Sequence, residues 1–336
     1  MTDSGDAKVE AESAPVAPTG IVVGVDGSEH GDCALLWAVQ EARQRQQTLH
    51  IVTAYSVPIF AASGLDGGSA TVDEEVIAQG ARAIVEQAMQ RVAGAGVDFD
   101  ARVVSGDPSS VLQQMSKTAE LLVFGSRGRG GFVGRLLGSV SSALPAHSLC
   151  PTVTVPLSCA DRLNEPGKTA QTPAQARIHP MVSVGVDGSQ QARYAVLQAA
   201  EEAQRCGYSL RVLCAVPPLT GAAAWLPSGA NREELLKEIA EQLEAGKAWL
   251  QHHFPQLEIT ADVVDGVPVE TLVEATKTSE LVVLGTRGHG GFAGMILGST
   301  TDGVLHHAKG PVMVVRDQED PRLDDRERFG PMLGNV

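Results

Sequence analysis

The chain is short of positive charge. Its 336 residues carry 26 lysines and arginines against 40 aspartates and glutamates, a formal charge of −14 at neutral pH. So acidic a chain is repelled by polyphosphate, which argues against nucleic-acid binding and leaves only local cationic loops to hold an anion. Long continuous apolar stretches are missing as well. The two longest uncharged runs are interrupted, Leu136–Ala160 by Pro145, Pro151 and Pro156, and Val212–Asn231 by Pro217, Pro218 and Pro227. Neither offers the roughly 20 apolar helical residues that span a bilayer, so no membrane insertion is expected. Met1–Gly20 is acidic, holds Pro15 and Pro18, and has no charged-then-apolar leader pattern. The five cysteines (Cys33, Cys150, Cys159, Cys206 and Cys214) form no CxxC pair or metal spacing. That pattern suits packing thiols in a reducing compartment, and the expected location is the cytoplasm.

Against these absences stands a duplication. IVVGVDGS at Ile21–Ser28 returns as VSVGVDGS at Val182–Ser189, and Lys117–Ser139 returns as Lys277–Ser299. The offsets are 161 and 160 residues, the length of a whole domain rather than of a solenoid unit. Leu157–Arg177, rich in Pro, Ala, Thr and Gln, reads as a linker between the copies. Asp317–Val336 is charged, lacks apolar periodicity, and is expected to be a disordered tail. The predicted organisation is therefore an N-terminal extension over 1–19, domains over 20–156 and 178–316 joined by linker 157–177, and tail 317–336.

Within the first copy, strand-like and helical patterns alternate. Ile21–Val25, Thr48–Ala54, Val97–Val104, Leu121–Phe124 and Thr152–Val155 read as strands. Asp32–Gln44, Val72–Val92, Pro108–Lys117 and Ser139–His147 read as helices, and the second copy repeats the series. Such alternation predicts an α/β fold in which helices cover both faces of a parallel sheet.

In open α/β sheets, ligands sit beyond the carboxyl ends of the strands, where the winding reverses. Two strand ends here carry unusual chemistry. The first runs into Gly24-Val25-Asp26-Gly27-Ser28. The fourth runs into Gly125-Ser126-Arg127-Gly128-Arg129-Gly130-Gly131, followed by Gly138-Ser139-Val140 at a helix start. In the second copy these are Gly185 to Ser189, then Gly285-Thr286-Arg287-Gly288-His289-Gly290-Gly291, then Gly298-Ser299-Thr300. Glycines let an anion lie against backbone N–H groups, and a helix N-terminus favours negative charge. Arg127 and Arg129 add charge to offset a triphosphate. The loop has no P-loop lysine, and Val133 stands where a dinucleotide fingerprint needs its third glycine.

VGVDGS on the first strand, together with Gly-x2-Gly-x9-Gly-Ser after the fourth, both present twice, resembles the universal stress protein family in its tandem, ATP-binding form. The resemblance implies two Rossmann-like domains of the adenine nucleotide alpha hydrolase-like kind, each a five-stranded parallel sheet of order 3-2-1-4-5. It implies that Gly24 and Asp26 meet adenosine, that Ala54 lines the adenine pocket, and that Gly125, Gly128, Gly138 and Ser139 hold ribose and phosphates. The matching residues in the second copy are Gly185, Asp187, Ala215, Gly285, Gly288, Gly298 and Ser299. His289 in place of Arg129, and Met295 in place of Arg135, make the second loop less cationic.

Each feature also has a plainer explanation. Asp26-Gly27 suits a tight turn with Ser28 capping the next helix. His147 and His307 suit helix C-termini, and Trp225 suits packing. The expected function is an ATP-binding stress-response regulator with two sites per chain and ATP, with or without Mg²⁺, as ligand. Asp26 is the one carboxylate the motif supplies, which argues against efficient phosphoryl transfer. A slow ATPase and a nucleotide-free scaffold are the rival expectations. The last strands, Pro151–Val155 and Pro311–Val315, are expected at a sheet edge, pairing the repeats as a pseudo-dimer and supporting a homodimer with regulatory partners.

Overall fold

A computed structural model describes residues 18–57, 73–129, 137–164, 180–218, 232–289 and 296–334. It divides into two compact units, Met1–Cys150 and Pro151–Val336.

The first unit alternates β1 (Ile21–Gly24), α1 (Glu29–Arg45), β2 (Leu49–Tyr55), α2 (Glu74–Val92), β3 (Phe99–Ser105), α3 (Pro108–Met115), β4 (Leu121–Gly125) and α4 (Ser139–His147). β1 lies between β2 and β4, parallel to both, with Ile21 level with Leu49 and Leu121; β3 lies parallel on the far side of β2. Strands covered on both faces need continuous apolar runs. Ile21, Val22, Val23, Leu49, Ile51 and Leu121 are accordingly sealed from solvent. α1 begins at Glu29, three residues before its apolar stripe, because Ser28 Oγ accepts the Gly31 N–H at 3.1 Å. α3 starts at Pro108, whose ring suits the first turn, and Asp107 caps it by accepting the Ser110 N–H at 2.9 Å.

The second unit runs β5 (Thr152–Val155), α5 (Ala160–Asn164), β6 (Met181–Gly185), α6 (Gln190–Cys206), β7 (Ser209–Val216), α7 (Arg232–His253), β8 (Ile259–Asp265), α8 (Pro268–Thr278), β9 (Leu281–Gly285), α9 (Ser299–His307) and β10 (Val312–Val315). β6 is flanked by β7 and β9, β8 pairs with β7, and β10 pairs with β9, all parallel. β5 pairs antiparallel with β10, Met313 opposite Val153. The last strands of the two sequence repeats thus pair with one another, as expected, and β5 falls in the second unit. Ser189 caps α6 as Ser28 caps α1, accepting the Ala192 N–H at 3.2 Å.

Two segments depart from expectation. The first eight residues of the expected linker are structured: Leu157–Cys159 forms a 3₁₀ turn and leads into α5, with Cys159 and Leu163 buried. Ser158 Oγ donates to the Lys309 carbonyl at 2.9 Å. The tail expected to be disordered carries a 3₁₀ helix over Pro321–Phe329 that packs on α7. Its charges are matched in space rather than along the chain. Arg322 Nη2 reaches Glu201 at 2.6 Å, and the Trp249 indole N–H donates to Asp325 at 2.8 Å. The N-terminal extension up to residue 17 and linker residues 165–177 lie outside the described residues.

Among the described residues, no helix is long and apolar enough to cross a membrane. Cys33, Cys150, Cys159 and Cys214 are buried and Cys206 is half-buried. Burial pushes the Cys150 and Cys214 thiols up to about 12. Because the thiolate is the reactive form, iodoacetamide at pH 7.5 is expected to label Cys206 first and the other four only on unfolding, as read by peptide mass spectrometry.

Candidate functional site

In each unit a cleft opens at the tips of the two strands where the winding reverses. In the first, β1, β2 and β4 end beside α3 and the start of α4, enclosing about 310 Å³. In the second, β6, β7 and β9 end beside α8 and the start of α9, enclosing about 230 Å³. Gly24, Asp26, Ala54, Gly125, Arg127, Gly128, Arg129, Gly138, Ser139 and Val140 all line the first cleft. Gly185, Asp187, Ala215, Gly285, Arg287, Gly288, His289, Gly298, Ser299 and Thr300 line the second. Gly130, Gly131, Gly290, Gly291, Arg135, Met295 and Trp225 lie outside the described residues.

A carboxylate organises each cleft. Asp26 Oδ1 accepts the Ser28 N–H at 3.1 Å and its hydroxyl at 2.6 Å, while Oδ2 accepts the Arg129 N–H at 2.6 Å. The turn after β1 is thereby tied to the loop after β4, across about a hundred residues of sequence. Asp187 repeats the device, accepting the Ser189 N–H at 3.0 Å and the His289 N–H at 3.0 Å. Because the loop contributes only a backbone N–H, exchanging arginine for histidine leaves the tie intact. A Cβ on Gly128 would stand 2.5 Å from Asp26 Oδ2, and one on Gly288 would collide with Asp187 Oδ2. A Cβ on Gly125 would meet the His30 backbone at 2.6 Å. Backbone contact thus requires glycine at 125, while at 128 and 288 glycine leaves room for the carboxylate, before any ligand is considered.

The amides open to an anion lie elsewhere. Gly138 N–H is already used, donating to the Ser126 carbonyl at 3.0 Å and to Ser141 Oγ at 2.9 Å. As N-cap of α4, however, Gly138 has no side chain to accept from the first helical turn. The N–H groups of that turn have no partner inside the helix, and its residues Ser139, Val140 and Ser141 face the cleft. Gly298 caps α9 in the same manner, its N–H bound to Thr286 O at 2.8 Å. Ser126 and Thr286, two expected ligand contacts, are buried and do not line either cleft. They act instead through carbonyls that hold the glycine caps. Arg127 and Arg129 are exposed at the mouth, so their charge remains available to an anion.

Opposite the helix start, the first cleft is apolar: Val52, Leu112, Phe124 and Ala54 form a wall. Of these only Ala54 was expected. Leu112 and Pro108 come from α3, which packs so closely that a Cβ on Gly24 would stand 2.9 Å from Leu112 Cδ1. His30, near the first turn of α1, is shifted below its ordinary value by burial and then by the Arg127 charge. The neutral imidazole is thus favoured beside the anion-facing loop. His147 and His307 sit exposed in the last turns of α4 and α9.

If Asp26 is why position 128 must be glycine, the two substitutions should be coupled. Gly128→Ala alone is expected to destabilise the first unit by about 1–3 kcal/mol, and less by at least about 1 kcal/mol in an Asp26→Ala background. Denaturant melts of the four proteins in the cycle measure this. Additive losses would dissociate the glycine from the carboxylate.

Comparison with known proteins agrees with this architecture. The model of the universal stress protein family matches twice, over residues 19–156 and 181–316. Universal stress protein Rv1996 of Mycobacterium tuberculosis is 33% identical over 332 residues, covering 93% of this chain and 99% of its own length. Universal stress protein Rv2623 of the same organism is 34% identical over 313 residues, covering 89% and 96%. Among solved structures, a universal stress protein from Archaeoglobus fulgidus superposes with a TM-score of 0.60 at 18% identity over 90% of this chain and 97% of that one. A universal stress protein solved in complex with cAMP is 30% identical over 41% of this chain and 97% of that one, with a TM-score of 0.32. The chain belongs to the universal stress protein family, as a tandem of two α/β domains of the Rossmann-like kind.

Proposed function

We propose that each cleft binds ATP and that occupancy of the two sites makes the chain a nucleotide-dependent regulator of a stress response. One observation carries the reading. A glycine-capped helix start with open amides faces the same cleft as exposed arginine and an apolar wall, so a ligand with an anionic end and a flat apolar end suits it. The phosphates would lie at Ser139 and Val140 with Arg127 beside them, and the base against Ala54, Val52 and Leu112. Ser299, Thr300, Arg287, Ala215 and Leu272 supply the same set in the second cleft.

The donor set fits a nucleotide better than a protein-held metal. Both oxygens of Asp26 are engaged by backbone and hydroxyl donors, so Mg²⁺ would travel on the phosphates. No lysine lines either cleft among the described residues, and both oxygens of Asp26 are already engaged, which favours retention of ATP over rapid turnover. On this reading the protein works in the cytoplasm as a homodimer, and partner proteins sense the clefts' occupancy.

Calorimetry with Mg-ATP is expected to show two sites per chain, and mass spectrometry of the denatured purified protein to show adenine nucleotide. Arg127→Ala should weaken the first site roughly fivefold at low salt, the scale of an exposed charge contact, and less at high salt. Absence of saturable binding would defeat the reading.

The two sites should also differ. With His289 where the first loop has Arg129, the second site is expected to bind more weakly, most visibly at low ionic strength. Gly288→Ala should then leave the tighter site and Gly128→Ala the weaker one; equal residual affinities would contradict the asymmetry.

A further inference from the structure

The turn after the first strand is covered differently in the two units. In the first, the guanidinium of Arg129 lies over Gly27, 3.1 Å from where a Cβ would stand, with Ile84 of α2 beside it at 3.2 Å. In the second, His289 occupies the arginine's position, and the cover comes from the C-terminal segment. A Cβ on Gly188 would meet the Leu333 carbonyl oxygen at 2.5 Å and that of Gly334 at 2.7 Å. Gly188 has φ +86°, within the left-handed region that glycine adopts without strain.

The segment that delivers these carbonyls is anchored along its length. Tyr194 donates its hydroxyl to Gln318 at 3.1 Å, and Arg322 bridges Asp320 and Glu201 at 2.6 Å each. The Trp249 indole N–H reaches the Arg322 carbonyl at 3.1 Å, and His253 holds Asp325 at 3.2 Å. The hydrogen bond from His253 keeps Asp325 below the usual carboxylate range. Arg326 is buried. It donates to the carbonyls of Gly330, Gln242 and Pro331 at 3.2–3.4 Å, so it fixes the bend that sends the chain back to the turn. Gly334 N–H then binds Gln242 Oε1 at 3.1 Å.

Met332 and Leu333 close a small cavity of about 70 Å³ between α6 and α7, and two of its lining residues, Val186 and Ala192, line the second cleft from the other side. The cavity under the segment and the second cleft therefore share Val186 and Ala192, which flank Asp187-Gly188-Ser189 in the chain.

We propose that the C-terminal segment Asp317–Gly334 is a positioning element of the second cleft, holding the Asp187–Ser189 turn in place where the first unit uses the Arg129 side chain. The carbonyls that replace a guanidinium bring partial negative charge to the turn, so the second cleft is held by contact rather than by a cation. The segment's effect on the turn is independent of any ligand; its effect on ATP affinity rests on the function proposed above.

The test uses the full chain with Arg326→Met, which removes three carbonyl anchors, and Trp249→Phe, which releases the segment from its other end without disturbing the bend. Hydrogen exchange without ligand should quicken about tenfold at Asp187–Ala192 in both variants, with Asp26–Gly31 unchanged as the internal control. A loss of general stability would also move the β6 and β9 amides, which the proposal leaves protected. Calorimetry with Mg-ATP should show the second affinity falling several-fold and the first unchanged, and Arg326→Lys should recover part of both effects. Faster exchange across 320–330 with an unaltered Asp187–Ala192 turn would overturn the proposal. If no ATP binds to any variant, the proposed function fails and the exchange data alone decide this inference.

Discussion

A carboxylate at the end of the first strand holds each cleft together. Asp26 takes donors from its own turn on one oxygen and from the loop after β4 on the other. Charge-assisted hydrogen bonds of this kind contribute about 1.5–3 kcal/mol each, enough to hold the backbone at Arg129 against the turn after β1. Neighbouring strands bring the partners within reach: β1 and β4 are paired with Gly24 level with Phe124, so their loops emerge side by side. Asp187 does the same between β6 and β9.

The glycines then divide into two groups. Gly125 and Gly128 are bare because His30 and Asp26 lie against them, and Gly138 serves as a helix cap with no side-chain acceptor. Capping by serine or aspartate would occupy the first amides of α4; capping by glycine leaves them to face the cleft. The same chain shows the alternative, since Ser28 and Ser189 cap α1 and α6 on the other side of the turn with their hydroxyls. The contrast between a filled and an open cap separates the helix that braces the site from the helix that can receive an anion.

Much of this was legible in the sequence. The duplicated blocks marked both domains, and α4 and β5 begin and end where the residue pattern placed them. The identical Asp-Gly-Ser and the repeated glycine spacing singled out strand ends that do line clefts. Harder to see were residues whose role depends on a distant partner. Ser126 and Thr286 look like loop donors, yet their side chains turn inward while their carbonyls hold Gly138 and Gly298. Leu112 and Pro108 read as ordinary helix residues, and only the crossover of α3 sets them at the cleft. The charged tail gave no apolar period because its order comes from ion pairs and carbonyl bonds to α6 and α7 rather than from an apolar face of its own.

By itself the sequence determined the two-fold repetition, the alternation of strand and helix, and the strand tips at which chemistry concentrates, because periodicity, glycine and capping residues act over a few neighbouring positions. Only the tertiary structure decided that Asp26 ties two loops instead of standing free, which amides are already spent, and that a C-terminal segment lies on the second turn where an arginine lies on the first. The first and last of those outcomes depend on groups about a hundred or more residues apart coming together, and chain folding alone sets such distances.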